Sequence, residues 1–111
     1  MSKIIRRLAF LLLALAVVLL ASCALQAHSR TQALATISVG DTEQSVLARL
    51  GQPSKLESPD QPYLLYATSG CIAPCAKRLW WEWPLFRGIE AWSVELDSSH
   101  RVVETSHWVS P

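Results

Sequence analysis

Three cysteines, a run of tryptophans and three histidines hold most of the chemistry open to this 111-residue chain. Cys71-Ile72-Ala73-Pro74-Cys75 places two thiols four residues apart. That spacing brings two α-carbons within disulfide range when the chain between them turns, and Pro74 favours a turn. So short a loop gains little chain entropy from closure, so the bridge would shape the loop more than hold the fold. The same pair as thiolates would suit copper binding or redox exchange, given a histidine at hand. His100 and His107 are seven apart, which on a regular strand puts them on opposite faces.

Trp80-Trp81-Glu82-Trp83-Pro84-Leu85-Phe86 is the second concentration. Its rings can cover an open sheet face, or project in part to dock a partner or the membrane interface, where Trp is favoured. Lys77, Arg78 and Arg87 flank the run and would suit acidic headgroups or a carboxylate-rich partner. On the second reading Trp80, Trp81, Trp83, Phe86, Arg78 and Arg87 are the contact residues. The remaining carboxylates are scattered and no Ser, His and Asp set has supporting context, so the chain is read as a non-enzyme.

Cys23 follows a different grammar. Met1 to Arg7 carries three positive charges and no negative one, Leu8 to Leu20 is unbroken apolar sequence, and Leu20-Ala21-Ser22-Cys23 comes next. Charged region, apolar core too short for a comfortable span, then small residues is the order of an export signal. The tetrad resembles the lipobox of bacterial lipoproteins. That resemblance implies diacylglyceryl transfer to the Cys23 thiol, cleavage before Cys23 and acylation of the new amino group. The alternative is an uncleaved anchor helix with an incidental Cys. At about 0.8 kcal/mol per buried methylene, a multi-acyl anchor is effectively permanent. The expected division is signal peptide 1–22, lipidated Cys and tether 23–33, and periplasmic domain 34–111. Ala24 rather than Asp follows the lipid Cys, which under the enterobacterial sorting rule points to the outer membrane. Two thiols then remain in an oxidising compartment, which favours pairing them. Residues 23–111 hold seven Lys or Arg against nine Asp or Glu, a balance of −2, so no basic footprint suggests nucleic acid.

These groups need elements to position them. Ala24 to Ser29 reads as tether, and Ser29 or Thr31 can cap a brief helix containing Ala33, Leu34 and Ile37. A second short helix is fully punctuated: Gly40 before it, Asp41 as N-cap with Gln44 three residues on, a stripe of Val46, Leu47 and Leu50, then Gly51 and Pro53 to end it. Ser54 to Pro62 reads as a loop, Tyr63 to Ala67 as a strand, and Ser69 to Gly88 as irregular. Glu90 to Asp97 alternates, with Trp92, Val94 and Leu96 on one face, and Arg101 to Val109 returns after a tight connection. The sum is an α+β fold of two short helices on a three-stranded antiparallel sheet, buried on one face.

Ile37 to Pro53, with Gly40, Val46, Leu50, Gly51 and Pro53 at its fixed points, resembles the motif of the SmpA/OmlA (BamE-like) outer-membrane lipoprotein family, as does the hairpin Val94 to Val102. The resemblance implies two helices on a three-stranded sheet, no cofactor beyond the lipid on Cys23, and residence at the periplasmic face of the outer membrane. It also implies binding to an envelope partner, the β-barrel assembly machinery being the family's own, in support of envelope integrity. His100 stands where the family has Gly, and is expected either to take a positive φ or to alter the turn. The segment 69–88 is individual to this chain. Outside the resemblance, the Cys71 and Cys75 pair leaves a metal- or redox-handling lipoprotein as the alternative.

Overall fold

The computed structural model describes residues 2–111. Its first element, α1 (Lys3–Ala35), is one uninterrupted helix of 33 residues, started by the Ser2 hydroxyl accepting from Ile5 N–H. No Gly or Pro occurs in it, so no residue interrupts the backbone ladder. Residues 24–33, assigned to a tether, are helical. The brief helix expected near Ala33 is the end of α1 and has no cap of its own. Thr31 instead donates to Ala27 O.

The second helix, α2 (Glu43–Leu50), falls where the motif predicts, but its cap differs: the Thr42 hydroxyl accepts from Ser45 N–H at 3.2 Å. Asp41, expected at the cap, accepts from Ser38 N–H at 2.8 Å and so shapes the turn before it. Gly51 ends the helix at φ 80°, donating its N–H to Leu47 O, as its place in the motif requires. Val46 and Leu50 are buried and Leu47 partly so.

Four strands follow: β1 (Lys55–Glu57), β2 (Lys77–Glu82), β3 (Glu90–Leu96) and β4 (Val102–Val109). They form one antiparallel meander in sequence order. The fold is α+β, but the sheet has four strands where three are expected. Tyr63 to Ala67 is not one of them; the stretches read as loop and as irregular supply β1 and β2 instead. In β2 Leu79, Trp80 and Trp81 are all buried, so alternation in polarity is lost and the strand cannot be seen from its pattern. The β3–β4 hairpin appears as expected, with a bulge opposite Glu95 and Leu96. His100 takes φ 61° in its turn.

Both faces of the sheet are covered, where one is expected. On one face Leu79, Trp81, Trp92, Val94, Leu96 and Val102 pack with Ala27, Leu34 and Ile37 of α1 and its end, and with Val46 and Leu50 of α2. On the other, the long connection from Glu57 to Lys77 folds back, bringing Tyr66 onto Trp80 and Ala91. The Cys71–Cys75 disulfide, with Cα atoms 5.3 Å apart, lies in this connection, and the Ala73–Pro74 peptide is cis.

Candidate functional site

The loop-covered face carries the polar chemistry. Because β-strand side chains alternate, Glu57, Arg78, Glu95 and Glu104 fall on one face. The register lines them up as a single rung across all four strands, Glu57 opposite Arg78, Arg78 opposite Glu95, Glu95 opposite Glu104. One cation thus faces three carboxylates. Arg78 gives its fork to Glu57, with Nε 2.6 Å from Oε1 and Nη2 3.0 Å from Oε2, and Nη2 also reaches Ser69 O. Trp80 Nε1 and Tyr63 N–H donate to the same carboxylate at 2.8 and 3.0 Å. Burial alone would push the Glu57 carboxyl up; these donors outweigh it and hold it below the usual carboxylate range.

Glu95 is left with little. Arg78 Nη1 is 3.8 Å from it, the guanidinium's Nε and Nη2 being committed elsewhere, and Glu104 stands directly opposite. Burial first, then the Glu104 carboxylate opposite, push its pKa up to about 7, so near neutral pH Glu95 is protonated in about half of the molecules. A cavity of about 400 Å³ opens over this pair, roofed by Ile72 to Cys75 and floored by Arg78, Ser93, Glu95 and Glu104.

A carboxyl raised in the folded state contributes its stability fully below the unfolded value and loses it as pH rises through the folded one. Unfolding free energy should therefore fall by roughly 2–3 kcal/mol between about pH 4.5 and pH 8 on this account. Glu95→Gln, which keeps a hydrogen-bonding amide without the charge, should flatten that slope and stabilise the protein at pH 8. Denaturant titrations across this range test it; an unchanged slope would mean that Glu95 is not raised in the folded protein.

Beside this rung, Glu82 accepts from Tyr63 and Tyr66 hydroxyls at 2.7 Å each and from Ser54 at 3.0 Å. These donors likewise overcome burial and hold its carboxyl below its ordinary value. Burial and the neighbouring Glu82 push both tyrosines above theirs. Among the described residues, no buried side-chain nitrogen or oxygen lacks a partner.

The tryptophan run is split by this architecture. Trp80 and Trp81 are 1 % and 0 % exposed on opposite faces of β2, and Arg78 is buried in the rung. All three therefore leave the set of surface contacts. Trp83 is half-buried, its Nε1 donating to Glu90. Phe86, with Leu85, is about half exposed, and Arg87 is exposed. Both loop cysteines are in the bridge, so neither sulfur is a thiolate ligand here. His100 contacts Glu43 in its turn and His107 stacks on Trp92, 5.4 Å between ring centroids. Among the described residues no group of three His, Cys, Asp or Glu could hold a metal ion.

Cys23 is buried, on the same helix face as Ala27 and Leu34. That face continues into the sheet: Thr31 Oγ1 accepts from Trp92 Nε1 at 3.0 Å, and Arg30 donates to Glu82 O at 2.9 Å. The residues that sequence reasoning missed are Glu57, Glu82, Glu95 and Glu104. Their only signal was company, Glu82 between two tryptophans and Glu57 shortly before two tyrosines. Compared with known proteins, the chain matches no family model, no curated protein and no solved structure.

Proposed function

We propose that this chain is a lipid-anchored, non-catalytic contact protein of the bacterial envelope, of the SmpA/OmlA type. It sits at the periplasmic face of the outer membrane and serves β-barrel assembly or envelope integrity by binding a protein partner. One observation carries the reading: α1 has two halves of opposite character. Leu8, Leu11, Leu12, Leu15 and Leu19 in its first part are exposed, whereas Ala27 and Leu34 in its last turns belong to the core. Exposed apolar sequence of this density belongs in lipid, and the Leu-Ala-Ser-Cys tetrad marks where it stops. The placement of Gly40, Val46, Leu50 and Gly51 at the second helix supports the family assignment.

Cys23→Ala tests the anchor: palmitate label should be lost and the protein should leave the outer-membrane fraction. Label and fractionation unchanged would overturn it. In cells carrying the unsubstituted Cys23, a photo-crosslinker at exposed Leu65 should capture components of the barrel-assembly machinery. Their absence from the captured set would remove the assembly role.

A further inference from the structure

The sheet's two edges are finished differently. β1 closes one of them with only three residues, whereas β4 lines the other over eight. Ser110 N–H bonds to Ile89 O, and from that pair the register alternates, so Trp108, Ser106 and Glu104 turn their backbone groups toward β3. Thr105, His107 and Val109 turn theirs outward, where none of the described residues bonds to them. The start of the strand shows what this edge accepts. Val102 donates to Asp41 O at 2.9 Å and accepts from Gly40 N–H at 2.8 Å, and Thr42 bridges Arg101 antiparallel before the chain leaves into α2. Beyond Val102 the edge is open, and the strand holds no Pro or Lys to discourage pairing.

Charge limits what that edge would take. The rung of Glu57, Arg78, Glu95 and Glu104 ends at β4 with two carboxyls in succession, and Arg78 gives its fork to the far one, Glu57. Glu104 makes no ion pair among the described residues. A fifth strand would set a residue opposite Glu104 in a non-hydrogen-bonded pair, the kind that brings side chains closest. The cavity under Ile72 to Cys75 is lined by Val103 to Ser106 as well as by Glu95, so it extends to this edge. We infer that β4 is a partner-binding edge, taking an extended protein segment as a fifth, antiparallel strand with a Lys or Arg opposite Glu104 that reaches into the cavity toward Glu95. The inference rests on the partner-binding reading above, but not on the anchor or on the machinery named there. Trp108 lies half-buried on the face of Glu104, four residues on, so the segment should carry an apolar residue against it. A second copy fits less well. Pairing two β4 edges about a two-fold axis sets Glu104 against Glu104, Ser106, Trp108 or Ser110, none of them a cation.

Two blocked heptapeptides test this, Thr-Ile-Thr-Thr-Val-Lys-Thr, whose Ile and Lys would face Trp108 and Glu104, and the same sequence with Glu for Lys. Each is added at millimolar concentration to the isotope-labelled full chain in neutral detergent micelles, and backbone amides are followed by NMR. The Lys peptide should shift and protect the amides of Thr105, His107 and Val109, and bind about fivefold tighter, or more, than the Glu peptide. Glu104→Lys should reverse that order. Thr105→Pro removes one outward N–H and leaves the β3 ladder whole, so it should abolish binding of either peptide while thermal unfolding shows it folded. Unaltered amides at these positions, changes that map elsewhere, or equal affinity of the two peptides overturns the inference. So does protection of the same amides in the free protein that grows with its concentration, which would make a second copy the occupant. Failure here with barrel-assembly components still captured from Leu65 strikes this surface alone. Binding here with none captured keeps the surface and removes the assembly role.

Discussion

Glu57→Ala should cost about 3–5 kcal/mol of folding stability, because it strands the Arg78 guanidinium inside the sheet. Glu57 is 1 % exposed and Arg78 7 %, so solvent cannot replace the lost partner. Trp80 Nε1 and Tyr63 N–H lose their acceptor as well. Against a total of about 5–15 kcal/mol for a small domain, such a loss removes a large share of the folded margin. Glu57→Gln should cost less, since the amide oxygen still accepts. Urea denaturation with Trp emission as the readout measures both. A loss under about 1 kcal/mol for Glu57→Ala would show that the pair behaves as a surface ion pair. A second consequence reaches across the rung. With Glu57 gone, Arg78 turns its charge to Glu95, 3.8 Å away, and one repelling carboxylate is removed. The pH dependence tied to Glu95 should then shift toward acid.

Trp81→Ala is the second large effect, about 3–5 kcal/mol. Its ring is 0 % exposed between the sheet and the helices, and its Nε1 donates to Gly51 O, the residue that terminates α2. Truncation would leave a cavity and free the helix end together. Phe86→Ala, five residues on but half exposed, should change stability by no more than about 0.5 kcal/mol. The contrast assigns core and surface within one aromatic run. Equal losses at 81 and 86, measured by thermal unfolding, would mean that Phe86 is packed.

What could be read from the sequence divides along the two faces of the sheet. Val46, Leu50, Trp92, Val94 and Leu96 have clean periodicity because apolar residues on the side facing the helical core alternate with mostly polar residues on the other. They are buried as that periodicity requires. Gly51 was legible because a positive φ leaves few residue choices, whereas the φ of His100 was only one of two outcomes that the family resemblance left open. On the loop-covered face that logic fails. Trp80 is buried behind a connection with no regular structure, and Glu57 and Glu82 are buried because distant residues supply their donors. No local pattern encodes a partner 21 residues away, such as Arg78 for Glu57. The three-residue strand β1 is held by register with β2 rather than by propensity, and so reads as loop. Likewise Ala24 to Ser29 has the composition of a tether, but an intact helical ladder on either side keeps it helical.

The continuity of α1 has a mechanical meaning. A flexible tether lets a domain tumble above its membrane and sample every orientation. On the anchoring proposed above, the helix that carries the anchor residue Cys23 is the one that enters the core at Ala27, with no joint between them. From Cys23 to the helix end at Ala35 is about 18 Å, so the domain would stand as a short post with its height and tilt fixed. The search for a partner is then confined to sliding in the plane and turning about one axis. Any surface that works must lie at the level where that partner presents its own.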